Sequence, residues 1–317
     1  MNFKFTLVFV MLSALATLHF STNSIFALDY EFKGEWGERG VANGQFIQPS
    51  GIAVDSDDNI YVNDFSGRSN IIQKFSNNGT FLSGFGVLGY GPGYFTSPTG
   101  MEIDPQGNLF VADFGNPNNA IQKFTINGSY IGSFGSFGTG KGEFLYPGGI
   151  GLDAEGNVYA TDYGSNNKVV KIDKSGIFVD EFGGTGRGEG QFMNPTDVSI
   201  DSLQNIFVLD AGNDRIQKFN KDGEFIMTFG SHGMGDGEFD NPSALIIDDK
   251  DNMYVADEGN HRIQIFDRDG NFLGKFGNRG SGPGEFINPI ALDIDSKGNI
   301  YVTDERNSRV QVFSPVT

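Results

Sequence analysis

Residues 241–277 read NPSALIIDDKDNMYVADEGNHRIQIFDRDGNFLGKFG, and this stretch decides the fold. It holds four short apolar runs, Ala244–Ile247, Met253–Ala256, Ile263–Phe266 and Phe272–Phe276, enriched in β-branched and aromatic residues. Asp, Asn and Gly separate them, and Asp269-Gly270 between the last two is a strong hairpin signal. A four-stranded antiparallel meander is predicted.

The same text recurs on both sides of it. Pro242 belongs to the series Pro49, Pro98, Pro147, Pro195, Pro242 and Pro289, spaced by 49, 49, 48, 47 and 47 residues. That period is in the range of propeller blades. No stretch has a helical period, so the class is all-β, a six-bladed β-propeller of four-stranded antiparallel blades. The sixth unit runs through Val310–Phe313 and stops short of a fourth strand. Phe32-Lys33-Gly34-Glu35-Trp36-Gly37 matches the missing text, its counterpart being Phe272–Gly277. An N-terminal strand is therefore predicted to complete the last blade and close the ring without long exposed edges.

Several motifs carry a family resemblance. Pro49-x-Gly51-Ile52-Ala53-x-Asp55, Asn59-Ile60-Tyr61-Val62-x-Asp64, Asn260-x-Arg262-Ile263-Gln264-x-Phe266 and Asp269-Gly270 resemble the NHL-repeat family of β-propellers. The likeness extends from about Phe32 to Phe313. It implies a fold more than a function, because similar propellers are sensor domains, protein or RNA docking platforms, and a few metal-assisted lyases and hydrolases. The enzymes of that family use histidines near a central metal. After residue 27 this chain has only His232 and His261, too few for a His-rich zinc site.

The chain's 22 basic and 40 acidic side chains give a net charge of -18, which repels phosphate backbones and argues against a nucleic-acid partner. There is no cysteine, so neither disulfides nor thiolate chemistry contribute. Residues 1–27 begin with Lys4, continue in an apolar run from Phe5 to Phe20, and end in polar Ser21–Ser24 with small Ala27. This is the pattern of an export signal, and uncleaved it would be a membrane anchor. Residues 28–317 are then the single propeller, expected to be secreted or held at the cell surface and to be a monomer.

Residues that recur in every blade read as structure. Phe46, Phe95, Phe144, Phe192, Phe239 and Phe286 follow glycine-rich loops, as inter-blade packing requires. Asp64, Asp113, Asp162, Asp210, Asp257 and Asp304 close the second strand, with Arg215, Arg262 or Arg309 five residues later in blades four to six. The series from Asp55 to Asp295 starts the next turn, where side-chain bonds to backbone amides explain it. Asp55–Asn59 lacks the glycine and terminal glutamate of a calcium loop. Gly138–Gly142 has no following Ser or Thr and no helix, so it is not a phosphate loop. The sequons Asn78-Gly79-Thr80 and Asn127-Gly128-Ser129 are explained equally by hairpin turns.

Function is sought where the symmetry breaks. Between the closing Asp and the third-strand Gln or Lys, blades one to three are longer by two residues than blades four to six (64 to 73, 113 to 122 and 162 to 171, against 210 to 217, 257 to 264 and 304 to 311). The longer loops place Phe65, Phe114 and Tyr163 after the Asp, with Asn70, Asn118 and Asn167 nearby and Tyr90 and Phe137 on neighbouring loops. Rings beside amides suit a sugar or an extended peptide, unless each ring simply packs under its own loop. A second break lies on the innermost strands. Glu102 and Asp293 stand where other blades have small or apolar residues, and Asp197 stands two positions earlier in its blade. Three oxygen donors converging on the axis would suit Ca²⁺, unless each binds water or a backbone amide separately. Two readings remain open. One is a noncatalytic propeller recognising a peptide, protein or glycan on its loop face. The other is a calcium-dependent lyase or hydrolase built on Glu102, Asp197 and Asp293.

Overall fold

In the computed structural model, residues 28–64, 69–115 and 119–316 are described, apart from the side chains of Ser69 and Asn70. Their strands form six four-stranded sheets, each an antiparallel meander with its first strand innermost. The sixth sheet is completed by the strand Tyr30–Trp36, which lies antiparallel to Arg309–Pro315 with Phe32 opposite Phe313 and Trp36 opposite Val310. The ring therefore closes by hydrogen bonds between the two ends of the propeller, as the repeat count predicts.

Blades are held together by apolar side chains between neighbouring sheets. Ile52, Ile60 and Val62 of blade one pack with Tyr301 and Val310 of blade six, joining the first and last repeats in one cluster. All six recurrent phenylalanines are fully buried. In five of the six, the ring meets the last aromatic of the third strand, as in Phe95–Phe124 at 5.2 Å and Phe286–Phe313 at 5.4 Å between centroids. Such pairs add about 0.5–1.5 kcal/mol beyond the area they bury.

Beneath this core runs a repeated polar frame. The closing aspartates accept backbone N–H groups from the connecting loop, Asp64 from Ile47 at 2.8 Å and Gln48 at 2.9 Å. A buried glutamine on the third strand completes the frame in every blade but the third. Gln264 donates to the Glu238 carbonyl at 2.7 Å and accepts from Gly237 N–H at 3.0 Å. The aspartates that start the turns accept amides within the turn, Asp55 Oδ1 from Asp57 and Asn59. Buried polar groups here are paired, as they must be to avoid a desolvation cost of about 1–3 kcal/mol each.

Blade three departs from the frame and corrects the loop comparison. Val208 of blade four faces Gln217, whereas the equivalent Ala160 faces Val170, not Lys171. Asp113 pairs with Ala120 in blade two, Asp162 with Lys168 in blade three, and Asp210 with Arg215 in blade four. The blade-three loop is thus longer by one residue rather than two. Lys171 instead takes the place of Lys74, Lys123 and Lys218, each lying over the ring of a second-strand aromatic. Lys168 stands where blades four to six have arginine, donating to Gly140 O at 3.0 Å and Glu181 at 2.8 Å, and Val170 stands where the other blades have glutamine.

Candidate functional site

The innermost strands wall an axial cavity of about 380 Å³. Small residues are needed there. An added Cβ on Gly51 would run into the Thr99 carbonyl, and one on Gly149 into the Asp197 carboxylate. Hydroxyls on these strands are committed to joining blades, Thr99 to Pro147 O at 3.1 Å and Thr196 to Pro242 O at 3.3 Å.

Glu102, Asp197 and Asp293 all line this cavity, so the structure brings the three sequence candidates to one compartment. Their partners differ. Asp197 accepts Leu245 N–H of the next blade and Val198 N–H, both at 2.9 Å. Asp293 accepts Val54 N–H at 2.6 Å, tying blade six to blade one, and Ile294 N–H at 2.7 Å. Burial pushes both carboxyls up to about 7 despite those amide donors. Glu102 accepts no protein hydrogen bond among the described residues. Burial first, and then the charges of Asp293 and Asp197, push it well above the usual carboxylate range. That environment favours its protonated form relative to an ordinary exposed carboxylate. The three do not converge tightly. Among the described residues, the only trio of His, Asp and Glu ligand atoms within 4.8 Å of one another is Asp214, His232 and Asp240, away from the axis.

Tyr163 also lines the cavity and joins it to the loop face. Its ring stacks on Tyr146 at 5.4 Å, and Phe114 meets both edge-on at 5.9 Å and 6.3 Å. Burial first, with the adjoining Tyr146 and Asp162, raises the Tyr163 hydroxyl to about 12, so it remains a hydrogen-bond donor. Tyr146 is 44% exposed. Sequence reasoning missed it, although the signal was present: Tyr146 precedes Pro147 where the other five blades have Gln48, Ser97, Asn194, Asn241 and Asn288.

The remaining candidates separate. Asn167 is buried in the left-handed region at φ 47°, and its Oδ1 accepts Asn194 N–H at 2.7 Å. Asp214 and His261 do the same for the following blades, so this amide caps a loop rather than facing a ligand. Tyr90 and Phe137 are exposed on the connecting loops. Phe65, Asn118 and the Asn70 side chain lie outside the described residues, as do residues 1–27. No helix among the described residues is long and apolar enough to cross a membrane.

Comparison with known proteins agrees on architecture. The family model DUF5128, a 6-bladed beta-propeller, matches residues 204–257 and 249–315. The fold is shared widely. A protein of unknown function from Bacteroides thetaiotaomicron VPI-5482 superposes with a TM-score of 0.70 at 15% identity, over 92% of this chain and 76% of that one. Virginiamycin B lyase from Staphylococcus aureus gives 0.62 at 14% identity, over 91% of this chain and 100% of the lyase. A gluconolactonase from Xanthomonas campestris gives 0.62 at 14% identity, over 86% and 87%. Likeness at such identity concerns the fold alone. No match was found among curated proteins.

Proposed function

We propose that this chain is an exported, noncatalytic NHL-type propeller that recognises a peptide or glycan at the loop-face mouth of its axial cavity. One observation carries the reading. The Phe114–Tyr146–Tyr163 ring cluster borders the cavity, and Tyr163 belongs to both. Aromatic faces supply apolar contact while the Tyr hydroxyls and the Glu102 carboxyl supply hydrogen-bonding groups, the mixture that sugar rings and peptide groups require. Export rests on the character of residues 1–27.

The test is a glycan and peptide array probed with wild-type protein and with Tyr146→Ala and Tyr163→Ala. Binding that disappears in both variants while the melting temperature changes little supports recognition. Binding unchanged in both overturns it.

A second reading, a metal-dependent lyase or hydrolase, is favoured by the unpartnered Glu102 facing the cavity and by the fold's use in a lyase and a gluconolactonase. Its metal would be Ca²⁺ held by Glu102, Asp197 and Asp293. Turnover of ester or lactone substrates that requires added Ca²⁺ and is lost in Glu102→Gln would select this reading over the first.

A further inference from the structure

The loop face holds a second group of chemically capable side chains, at the junction of blades four and five. We propose that Asp214, His232 and Asp240 bind a divalent transition-metal ion of the zinc class. One ligand atom from each lies within 4.8 Å of the other two. His232 Nδ1 is 3.1 Å from Asp214 Oδ2. Two ligands on a tetrahedral ion with bonds of about 2.0–2.1 Å are separated by about 3.4 Å, so this pair already stands near the spacing that one ion imposes.

The backbone prepares the three positions. Asp214 ends the 3₁₀ turn Ala211–Asn213 in the left-handed region at φ 50°, and its Oδ1 accepts Asn241 N–H at 2.8 Å. That capping bond needs no carboxylate, because Asn167 and His261 make it in the neighbouring blades with neutral atoms. The second oxygen of Asp214 is surplus to the fold, and it faces His232. Asp240 donates its N–H to Asp257 at 2.9 Å, while its carboxylate accepts no hydrogen bond among the described residues. A Cβ added at Gly259 would come within 2.7 Å of the Asp240 carboxyl carbon, so glycine keeps room for that group.

Symmetry sharpens the assignment. Where blade five has Asp240, the other blades have Ile47, Thr96, Leu145, Met193 and Ile287. Where it has His232, the others have Arg39, Leu88, Phe137, Thr185 and Arg279. Ligating side chains thus coincide at this one junction without serving the repeat. Two carboxylates and a neutral imidazole balance a dication's charge, and the nitrogen donor favours zinc-like ions over Ca²⁺ or Mg²⁺. Asp214 and His232 border an open cleft of about 360 Å³, which leaves a coordination position for water or an incoming donor. Arg215 on the same cleft is already committed to Asp210 at 2.7 Å, and exposed Arg187 on its rim supplies no ligand.

The test is calorimetric titration of the full, untagged, chelator-stripped chain with ZnCl₂ near neutral pH, with melting temperature as a second readout. One equivalent of zinc is expected to bind and raise the melting temperature, with excess Ca²⁺ failing to compete. His232→Ala, Asp240→Asn and Asp214→Asn are each expected to weaken binding by at least about tenfold. Asp214→Asn retains the capping oxygen, so its apo melting temperature should match wild type. The triple variant Glu102→Gln/Asp197→Asn/Asp293→Asn should bind zinc as wild type does, which separates this site from any axial metal. Absence of binding to wild type, or unchanged binding in His232→Ala and Asp240→Asn, overturns the proposal.

Discussion

Blades two and three fasten their loop face differently from blades four to six, although all five carry the same closing aspartate. In blade five the Arg262 guanidinium fills the space under the turn. It donates to Asp257 at 2.7 Å and to the carbonyls of Met234, Gly235 and Glu238. Blades two and three have no such arginine. Ala120 stands opposite Asp113 and Lys168 opposite Asp162, and the loops are longer. The Phe114–Tyr146–Tyr163 cluster sits on that same side. Once a rigid five-donor fork no longer fixes the turn, length and ring content are free to vary, and the site proposed for recognition lies where that freedom is greatest.

Deleting the fork is the strongest way to break this contrast. Arg262→Ala leaves the fully buried Asp257 without its charge partner, and should cost about 3–5 kcal/mol by urea unfolding. A loss below about 1 kcal/mol would show that the two halves are not fastened differently at all.

The axis offers a second contrast, between Glu102 with no amide donor and Asp197 and Asp293 with two each. Asp197 and Asp293 sit at about 7 in the folded chain against an ordinary 3.8. A carboxyl raised in this way binds more protons folded than unfolded between those values. Its stabilising contribution is complete below about pH 3.8 and is lost as pH rises through about 7. Glu102 acts in the same sense. Asp55 acts oppositely, because bonds from Asn59 and Lys74 outweigh its burial and lower it, so its contribution is lost only as pH falls below the ordinary carboxylate range. Urea midpoints measured across this window should fall from mildly acid toward neutral pH. The decline should flatten in Asp197→Asn/Asp293→Asn, and a steady rise through the window would refute the assignment.

The smallest effect is expected in blade three. Lys168→Ala removes a pair with Glu181 that remains a quarter open to solvent, and should cost about 1 kcal/mol or less. A loss as large as that of Arg262→Ala would mean that Lys168 replaces the arginine in strength as well as in place.

Much of this was legible before any coordinates. The six prolines, the four apolar runs per repeat and the match of Phe32–Gly37 to Phe272–Gly277 describe the ring and its closure, because strand pattern and turn chemistry are local. Glu102, Asp197 and Asp293 were legible as departures from small residues on the inner strands, and they do share one cavity. Their separate bonds to Leu245 and Val54 were not, since those partners belong to the next blade. Asn167 read as a ligand-facing amide, yet its left-handed backbone turns it inward to cap a loop. The blade-three register was misjudged because Lys171 resembles the glutamine position in text, whereas pairing aligns it with Lys74.

Tyr146 and Asp240 show where the two kinds of information meet. Each breaks the repeat at a position readable along the chain, one beside Pro147 and the other two residues before Pro242. Composition and period alone determined an acidic, cysteine-free, six-bladed ring closed by its own N-terminal strand, because each blade repeats one hydrophobic pattern. Only the tertiary structure decided that Tyr146 stacks on Tyr163 at the mouth of the axial cavity and that Asp240 stands beside Asp214 and His232. Those neighbours come from different strands and loops, and packing between blades sets their separation.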